Sequence, residues 1–283
     1  MSIVLSVKNL CKEYPKFRLD HVSFEIPKGS IMGFIGRNGA GKTTTLKSIL
    51  NLVHPSEGEI NYFGFNLSEH EDEIKQRIGF AGGAVDYYKK KKIKDIVNVT
   101  KTFFANWDDA AYHRYLKMFS LDEEKCPQEL SEGMKVKFNL VLALSHKAEL
   151  LILDEPTSGL DPVSRDELLE VFIRLAREGV SILFSTHITS DLDKCADRIT
   201  YVKNGRIIAS EEMDQFIDSY RMIKTDINPS KEQTSAVIGE CTTRKGSTYL
   251  IKKEDAALFN NVEICIPTLE EIMIHFEKDE IHE

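Results

Sequence analysis

The chain has 283 residues, of which 42% are hydrophobic, and its formal net charge is −8. This length predicts roughly two structural units, and the acidic balance argues against a nucleic-acid binder, whose phosphate contacts need a basic surface. Five widely spaced cysteines without a CxxC pair indicate reduced thiols and exclude a disulfide framework. The sequence has no apolar run of about 18 residues and no secretory leader, so we expect a cytosolic protein that does not span a membrane.

Strand and helix patterns alternate in the first part of the chain. Residues 2–10 and 21–27 have the Val and Ile patterns of strands, with the turn-rich KEYPKF between them. A short apolar run at 30–35 leads through a Gly-rich turn into TTTLKSILNL, which predicts a helix. Another strand is expected at 78–81.

The pattern becomes helical between about 93 and 147 and returns to strands at 150–153, 180–184 and 199–202. Strands alternating with helices predict an α/β protein with a mostly parallel sheet covered on both faces. The helical stretch is too long for one crossover, so we expect an inserted subdomain. The predicted organisation is a core, a helical subdomain and a small mixed α/β extension, at residues 1–84 with 149–215, 85–148 and 216–283 respectively.

Residues 36–43, GRNGAGKT, match the pattern GxxxxGK[ST] between a predicted strand and a predicted helix. Glycines let successive backbone N–H groups turn toward phosphate oxygens, at a helix N-terminus whose dipole favours anions. Lys42 is expected to reach the β- and γ-phosphates, and Thr43 to ligate Mg²⁺. The alternative is a chance Gly-rich turn, but the flanking elements favour nucleotide binding. The predicted nucleotide-binding residues are Gly36, Asn38, Gly39, Gly41, Lys42, Thr43 and Thr44.

The strand predicted at 150–153 ends in two carboxylates, Asp154 and Glu155. Ligands bind at the carboxyl ends of parallel strands, so Asp154 is expected to complete the Mg²⁺ shell and Glu155 to polarise the attacking water. Taken alone, such a strand end is most often only solvated. The phosphate loop earlier in the chain favours the functional interpretation.

Three shorter motifs follow in order. LSEGM at 130–134 opens a helix, where Ser131 taken alone is an ordinary N-cap. SGLD at 158–161 follows the two carboxylates, and STH at 185–187 ends the next predicted strand. A histidine just past a strand end, on the phosphate side, is placed to contact a γ-phosphate.

The order and spacing of these motifs resemble the ATP-binding cassette family over roughly residues 1–215. The resemblance implies a P-loop NTPase fold and an ATPase that uses ATP and Mg²⁺. It implies that Tyr14 stacks on adenine, with a turn tyrosine as the ordinary alternative. It also implies that Ser131 and Gly133 close on the γ-phosphate held by a second subunit, and that Glu155 is the catalytic base.

The same resemblance implies that Asp161 couples two ATP sites and that His187 is the switch histidine. Two cassettes, identical or similar, would form a head-to-tail sandwich around two ATP molecules. Its opening would drive a multi-spanning permease on a separate chain, at the cytoplasmic face of the cell membrane, with no nucleic-acid partner.

Two other classes of function stay open. One is a cassette ATPase of translation or DNA repair without a permease, but such proteins resemble paired cassettes or cassettes interrupted by a long coiled coil, and this chain has neither. The other is a regulatory module that does not hydrolyse ATP. Retention of the catalytic set speaks against it: Lys42, Asp154, Glu155 and His187.

Two features depart from the common cassette pattern. Gly83 stands where many cassettes have Gln after the strand at 78–81, and Asp86 is a nearby side chain that could replace it. The signature reads LSEGM where LSGGQ is commoner. Together with the C-terminal PTLEEIMIHFEK, it resembles short Gram-positive exporter ATPases that act on bacteriocins, lantibiotics or phenol-soluble modulin-type peptides.

Four consecutive lysines at 89–92 follow Tyr87 and Tyr88. A solvated loop is the ordinary interpretation. The alternative places them near the permease or the anionic inner leaflet, where each basic residue contributes on the order of 1 kcal/mol.

Overall fold

The computed structural model describes residues 2–82, 89–226, 229–243, 246–260 and 262–278. The chain divides into two compact units, Met1–Ser210 and Glu211–Glu283. This division lies close to the boundary predicted at residue 215. The first unit contains the phosphate-loop, carboxylate, signature and histidine motifs, so its sheets and helices position the site.

The first unit begins with an antiparallel sheet. Its strands are β1 (Ile3–Tyr14), β2 (Phe17–Pro27), β4 (Glu57–Tyr62) and β5 (Phe65–Asn66), in the order β2-β1-β4-β5. The hairpin between β1 and β2 stays paired as far as Tyr14 and Phe17, so the turn predicted over KEYPKF is shorter than expected and takes only residues 15 and 16. Buried Leu10, Leu19 and Val22 favour continued pairing because they face the core, which overrides the polar composition of the turn.

The second sheet of this unit is mostly parallel. Its strands are β3 (Ile31–Ile35), β6 (Ile78–Gly82), β7 (Leu150–Asp154), β8 (Ser181–Thr186), β9 (Arg198–Lys203) and β10 (Arg206–Glu212). They lie in the order β10-β9-β3-β8-β7-β6. Every neighbouring pair from β9 to β6 is parallel. Strands β3 and β8 are buried along their whole length. Burial on both faces explains why their sequences are continuous apolar runs.

The register of this sheet brings distant motifs together at one edge. Ile35, just before the phosphate loop, lies opposite Thr186, and Asp154 lies opposite Ser185. Because parallel strands all end at the same edge, the residues that follow them share one surface. This edge is where the sequence placed the nucleotide.

The helices of the first unit are α1 (Lys42–Ile49), α2 (Glu71–Lys75), α3 (Ile93–Thr100), α4 (Asp109–Met118), α5 (Glu132–Ser145), α6 (Pro162–Arg177) and α7 (Thr189–Cys195). The N-cap residues of α4, α5 and α6 are Asp108, Ser131 and Asp161, and their side-chain oxygens accept hydrogen bonds from backbone N–H groups. Helices α3 to α5 follow one another between β6 and β7. They form the predicted helical insertion.

The second unit is a small antiparallel sheet with helices. Its elements are α8 (Met213–Asp218), β11 (Tyr220–Thr225), α9 (Lys231–Thr234), β12 (Val237–Thr243), β13 (Gly246–Lys252), β14 (Glu263–Cys265) and α10 (Leu269–Lys278), with strand order β12-β13-β11-β14. Its core includes Ile223, Tyr249, Ile251 and Phe259.

The predicted fold class is therefore confirmed: an α/β protein with a mostly parallel core sheet, N-terminal antiparallel strands, a helical insertion and a mixed C-terminal extension. Across the described residues, no helix has both the length and the apolar character needed to cross a bilayer.

Candidate active site

The turn after β3 approaches other segments so closely that it must be built from glycine. A Cβ on Gly36 would lie 2.3 Å from the Val202 carbonyl oxygen, and one on Gly41 would lie 2.9 Å from the Phe17 ring. Gly39 and Gly41 have φ angles of 86° and 114°, which residues with a Cβ rarely adopt. Gly41 caps α1 without a side chain, so the first backbone N–H groups of the helix are available to an anion.

Lys42 places a positive charge inside this turn. Its side chain is only 6% exposed, and Nζ donates a hydrogen bond to the Gly36 carbonyl oxygen at 2.7 Å. Nζ also lies 3.4 Å from the Arg37 carbonyl oxygen and 3.4 Å from Glu155 Oε1. A buried ammonium is costly unless oxygen atoms surround it. These partners hold the charge at the position where the motif expects phosphate oxygens.

Asp154 ends β7 with both carboxylate oxygens engaged. Thr43 Oγ1 donates to Asp154 Oδ2 at 3.0 Å, and Ser185 Oγ donates to Asp154 Oδ1 at 2.5 Å. Thr43 and Asp154 are the predicted metal ligands, and Ser185, which the sequence indicates only as the start of the STH motif, is a further partner of Asp154. A hydroxyl and a carboxylate are hard oxygen donors of the kind that Mg²⁺ prefers.

Glu155 lies next to Asp154 and faces both Lys42 and His187. Glu155 Oε2 is 2.9 Å from His187 Nδ1, while Oε1 is the atom near Lys42. The Glu155 backbone has a φ of 50°, a left-handed conformation that is strained for a residue with a side chain. Its N–H donates to the Ser185 carbonyl oxygen at 3.1 Å and to Ser185 Oγ at 3.0 Å. These bonds fix the residue at the strand end.

A cavity of about 590 Å³ lies in front of these groups. Its volume is in the range of small-molecule sites. It brings together most of the predicted nucleotide residues, and it adds four that had no predicted role, namely Lys16, Phe17, Arg37 and Ser158. The predicted residues among its walls are Asn38, Gly39, Gly41, Lys42, Thr43, Thr44, Glu155 and His187.

Comparisons with known proteins agree with this geometry. The family profile described as ABC transporter matches residues 19–158. The chain is 33% identical to the bacitracin transport ATP-binding protein of Bacillus licheniformis, over 76% of this chain and 71% of that protein. It is 34% identical to the lantibiotic transport ATP-binding protein of Streptococcus pyogenes, over 75% of this chain and 92% of the relative. The chain belongs to the ABC transporter family.

Solved structures of other cassettes agree with the fold of this one. The structure of an ATP-binding subunit of an ABC transporter is 30% identical and superimposes with a TM-score of 0.68, covering 75% of this chain and 91% of that chain. A nucleotide-free cassette of another ABC transporter has the same fold at 20% identity and a TM-score of 0.65, with 76% and 93% of the two chains covered. The predicted family, fold and enzyme class are confirmed: the chain is an ABC ATPase.

The signature residues of the cassette lie outside the cavity walls among the described residues. Ser131 Oγ accepts from Met134 N–H at 3.3 Å, as an ordinary N-cap does. A Cβ on Gly133 would meet the Leu160 side chain at 3.3 Å, so the start of α5 packs against the turn after Glu155. The predicted roles of Ser131 and Gly133 toward ATP stay predictions.

Asp161, in that same turn, is engaged in capping α6. Its Oδ1 accepts from the N–H groups of Val163 and Ser164, both at 3.0 Å. Hydrogen bonds from the Ser164 side chain and backbone hold the pKa of Asp161 below its usual value. The proposed coupling of two ATP sites by Asp161 stays a prediction, because a cap alone accounts for these contacts.

Two aromatic residues, Tyr14 and Phe17, lie at the end of the first hairpin. Tyr14 is 42% exposed, and its ring lies 5.7 Å from Lys12 Nζ, whereas Phe17 lines the cavity beside Gly41. The aromatic wall seen in the structure is therefore Phe17. Stacking of adenine on Tyr14 stays a prediction.

Gly83 and Asp86 lie outside the described residues, as do Tyr87 and Tyr88. The strand before them ends with Gly82 opposite Asp154. Of the lysines at 89–92, Lys92 pairs with Glu124 at 2.7 Å, and Lys94 pairs with the same carboxylate at 2.5 Å. Part of this basic segment is thus committed to an ion pair within the helical subdomain.

Proposed function

We propose that this cassette is the ATP-hydrolysing subunit of an exporter and that Glu155 is its general base. The observation that carries the proposal is the meeting of Lys42, Asp154, Glu155 and His187 at the carboxyl edge of one sheet. Phosphoryl transfer to water needs a cation for the phosphates, oxygen ligands for a metal and a base for the water. Lys42, Glu155 and His187 line one cavity. Thr43, which also lines it, is hydrogen-bonded to Asp154.

Glu155 is held so that one carboxylate oxygen can act as the base. A general base must be an ionised carboxylate, which only accepts hydrogen bonds. In that state of Glu155, His187 Nδ1 would be the donor in the 2.9 Å contact with Oε2. Oε1 faces Lys42 instead. When phosphate oxygens take over the hydrogen bonds of Lys42, Oε1 loses its cation and is free to accept a proton from water. His187 keeps the carboxylate oriented during this exchange.

The residues around Asp154 fit a magnesium ion. Thr43 Oγ1 and the Asp154 carboxylate would hold it, and the ion would neutralise negative charge on the phosphate oxygens. Ser185 holds the other oxygen of Asp154. Such an outer partner fixes the direction in which a ligand oxygen points.

A second cassette would complete the site. Ser131 and Gly133 stand at a helix start that does not line the cavity beside Lys42, and a site that needs them must receive them from another copy. We infer a homodimer or a pair with a similar cassette, with ATP between the phosphate loop of one subunit and the signature turn of the other.

An apolar surface on the first unit supports a membrane partner. Leu52, Phe80, Val99 and Phe103 are large apolar side chains that remain exposed. Leu52 and Phe80 line a groove of about 310 Å³ with mostly apolar walls. Exposed apolar patches of this kind mark interaction sites. We infer that a permease on a separate chain docks here and holds the cassette at the cytoplasmic face of the membrane.

The cargo is proposed from the relatives. The proteins of Bacillus licheniformis and Streptococcus pyogenes are named as bacitracin and lantibiotic transport proteins. By this similarity we propose export of amphipathic or antimicrobial peptides. Translation or DNA repair is the competing function.

Co-purification from native membranes tests this proposal. The tagged full chain should bring down a multi-spanning membrane protein in mild detergent. Leu52→Glu, which places a charge in the apolar groove, should lose that protein. Ile208→Glu changes an exposed apolar residue of β10 that is absent from the groove walls, so it should retain the partner.

The two functions give different partners in this experiment. Recovery of ribosomal or DNA-repair proteins with both variants, and of no membrane protein, would reject the exporter. The cargo is then tested in cells of the native host that lack the gene. Wild-type chain, but not Glu155→Gln, should restore tolerance to added antimicrobial peptides.

A further inference from the structure

A buried hydrogen bond joins the two loops that carry Glu155 and His187. Thr157, two residues after Glu155, has no exposed surface, and its Oγ1 donates to Asp191 Oδ2 at 2.6 Å. Asp191 is 1% exposed and belongs to α7, which begins two residues after His187. The bond therefore connects the turn after β7 to the helix after β8.

A third element reaches the same carboxylate. Arg165 of α6 has its Nε 3.9 Å from Asp191 Oδ1, which is too long for a hydrogen bond but still attractive. Helix α6 is the helix that Asp161 caps. Burial raises the pKa of Asp191, and the Thr157 hydroxyl and Arg165 oppose that shift. Asp191 is thus a buried acid that links α7, which follows His187, to the turn after Glu155 and to the helix that Asp161 caps.

The turn that Thr157 fixes is a strained one. Glu155 has a left-handed backbone with a φ of 50°, and such conformations persist only where the surroundings over-determine them. Ser185 binds the Glu155 N–H on the strand side. On the other side, Ser158 N–H donates to the Glu155 carbonyl oxygen at 3.1 Å. The Thr157 bond anchors this second side to α7.

We propose that Asp191 is a positioning residue for hydrolysis, acting through Thr157. The bond keeps the Glu155 carboxylate and the His187 ring in reach of each other, because it locks together the two segments that carry them. It touches neither the phosphate loop nor Lys42, so it acts on turnover and leaves nucleotide affinity unchanged. The inference rests on the proposed roles of Glu155 and His187.

The test is a pair of substitutions at Thr157 in the full chain. Thr157→Val keeps the shape of the side chain and removes the hydroxyl, whereas Thr157→Ser keeps the hydroxyl. We expect Thr157→Val to lower kcat about tenfold, the size of one lost buried hydrogen bond expressed in the transition state. KM for ATP and the Kd of ADP should stay within about threefold of wild type. Thr157→Ser should recover most of kcat.

Asp191 gives the same comparison from the other side of the bond. Asp191→Asn keeps an oxygen that can accept from Thr157, and Asp191→Leu does not. Asp191→Asn should resemble Thr157→Ser, and Asp191→Leu should resemble Thr157→Val. The double variant Thr157→Val with Asp191→Leu should lose no more kcat than either single one, because both remove the same bond.

Three results would overturn the inference. Wild-type kcat in Thr157→Val is one. A parallel loss of kcat and ADP affinity is another, since it reports general damage to the site. Equal losses in Asp191→Asn and Asp191→Leu, with Thr157→Ser no better than Thr157→Val, would also reject the bond. Failure of the proposed function looks different, because Glu155→Gln would then turn over at the wild-type rate whatever Thr157 does.

Discussion

Helices α1 and α5 both start at turns that are predicted to surround ATP, yet the two starts differ. At α1 the capping residue is Gly41, which has no side chain, and the cavity with Lys42 lies in front of it. At α5 the capping residue is Ser131, whose oxygen already accepts from Met134 N–H. One start offers free backbone donors beside a buried cation, and the other is satisfied within its own chain. The difference fits the proposal that α1 holds phosphate within this chain and that α5 serves the site of another copy.

The largest expected effect is on the base beside the α1 site. Glu155→Gln keeps the shape of the side chain but removes its basic carboxylate, so we expect kcat to fall by about two orders of magnitude or more. ATP binding should be retained, because Lys42 and the loop glycines are unchanged. Steady-state ATPase assays measure the first effect and calorimetry the second.

A carboxylate at the other end of the same strand gives the control for that assay. Glu149 pairs with Arg77 at 2.7 Å and is not a wall of the cavity. Glu149→Gln should keep kcat near wild type. A wild-type rate in Glu155→Gln would remove Glu155 from the chemistry.

The next effect is on affinity. Lys42→Ala removes the buried cation at the α1 start, and we expect ATP to bind about tenfold to a hundredfold more weakly, the size of a lost charge-assisted hydrogen bond. Lys47→Ala changes an exposed lysine of the same helix and should leave the Kd within about twofold. Calorimetric titration of ATP distinguishes the two variants. Equal ATP affinities in Lys42→Ala and Lys47→Ala would show that Lys42 does not hold the phosphates.

A change at the start of α5 should lower kcat and leave nucleotide affinity unchanged. Ser131→Ala removes an N-cap and is expected to lower the Tm by about 2–4 °C. It should also lower kcat about tenfold through the lost γ-phosphate contact, with the Kd of ADP for the isolated chain unchanged. Asp108→Ala removes the cap of α4 and should lower only the Tm. If the two variants had the same kcat, Ser131 would be a cap and nothing more.

The smallest expected effect is on stability, at an exposed ion-pair cluster away from both helix starts. Lys92 and Lys94 hold the pKa of Glu124 down at about 2, chiefly through the hydrogen bond from Lys92. A depressed acid pKa stabilises the fold above the ordinary value of 4.5 and ceases to do so as the pH falls through about 2. Glu124→Gln should therefore lower the Tm by about 2 °C or less at pH 7. Melting curves should show this difference vanish between pH 4.5 and pH 2, with kcat unchanged throughout.

The motifs around the α1 site could be predicted from the sequence. The phosphate loop and the Asp154–Glu155 strand end depend on local geometry, in which glycine spacing and an apolar run specify what the backbone does. Parallel strands then bring the two motifs to one edge, so their meeting could be predicted from the alternation of strands and helices. The apolar runs of β3, β7 and β8 had the same clear signal.

The residues without a predicted role depend on contacts between distant segments. Ser185 reaches Asp154 only because the β7–β8 register sets them opposite each other, and no local pattern states that register. Phe17 lines the cavity because the β1–β2 hairpin stays paired to its end, where the composition of KEYPKF predicted a longer turn. Thr157, in the turn after β7, meets Asp191 of α7, which lies 34 residues further along the chain. A signal for Asp191 did exist, since a charged residue so close to the histidine motif must find a partner if it is buried.

The mass of Glu155→Gln in the presence of ATP tests the split site most directly. The variant binds ATP but cannot clear it, so size-exclusion chromatography with light scattering in Mg²⁺-ATP should give a dimer of twice the 32.2 kDa chain mass. Adding Ser131→Ala should reduce that dimer, and ADP in place of ATP should give the monomer. The account would be contradicted if Glu155→Gln stayed a monomer in Mg²⁺-ATP while the wild-type protein hydrolysed ATP at a specific rate independent of protein concentration. That result would show that one chain holds a complete site.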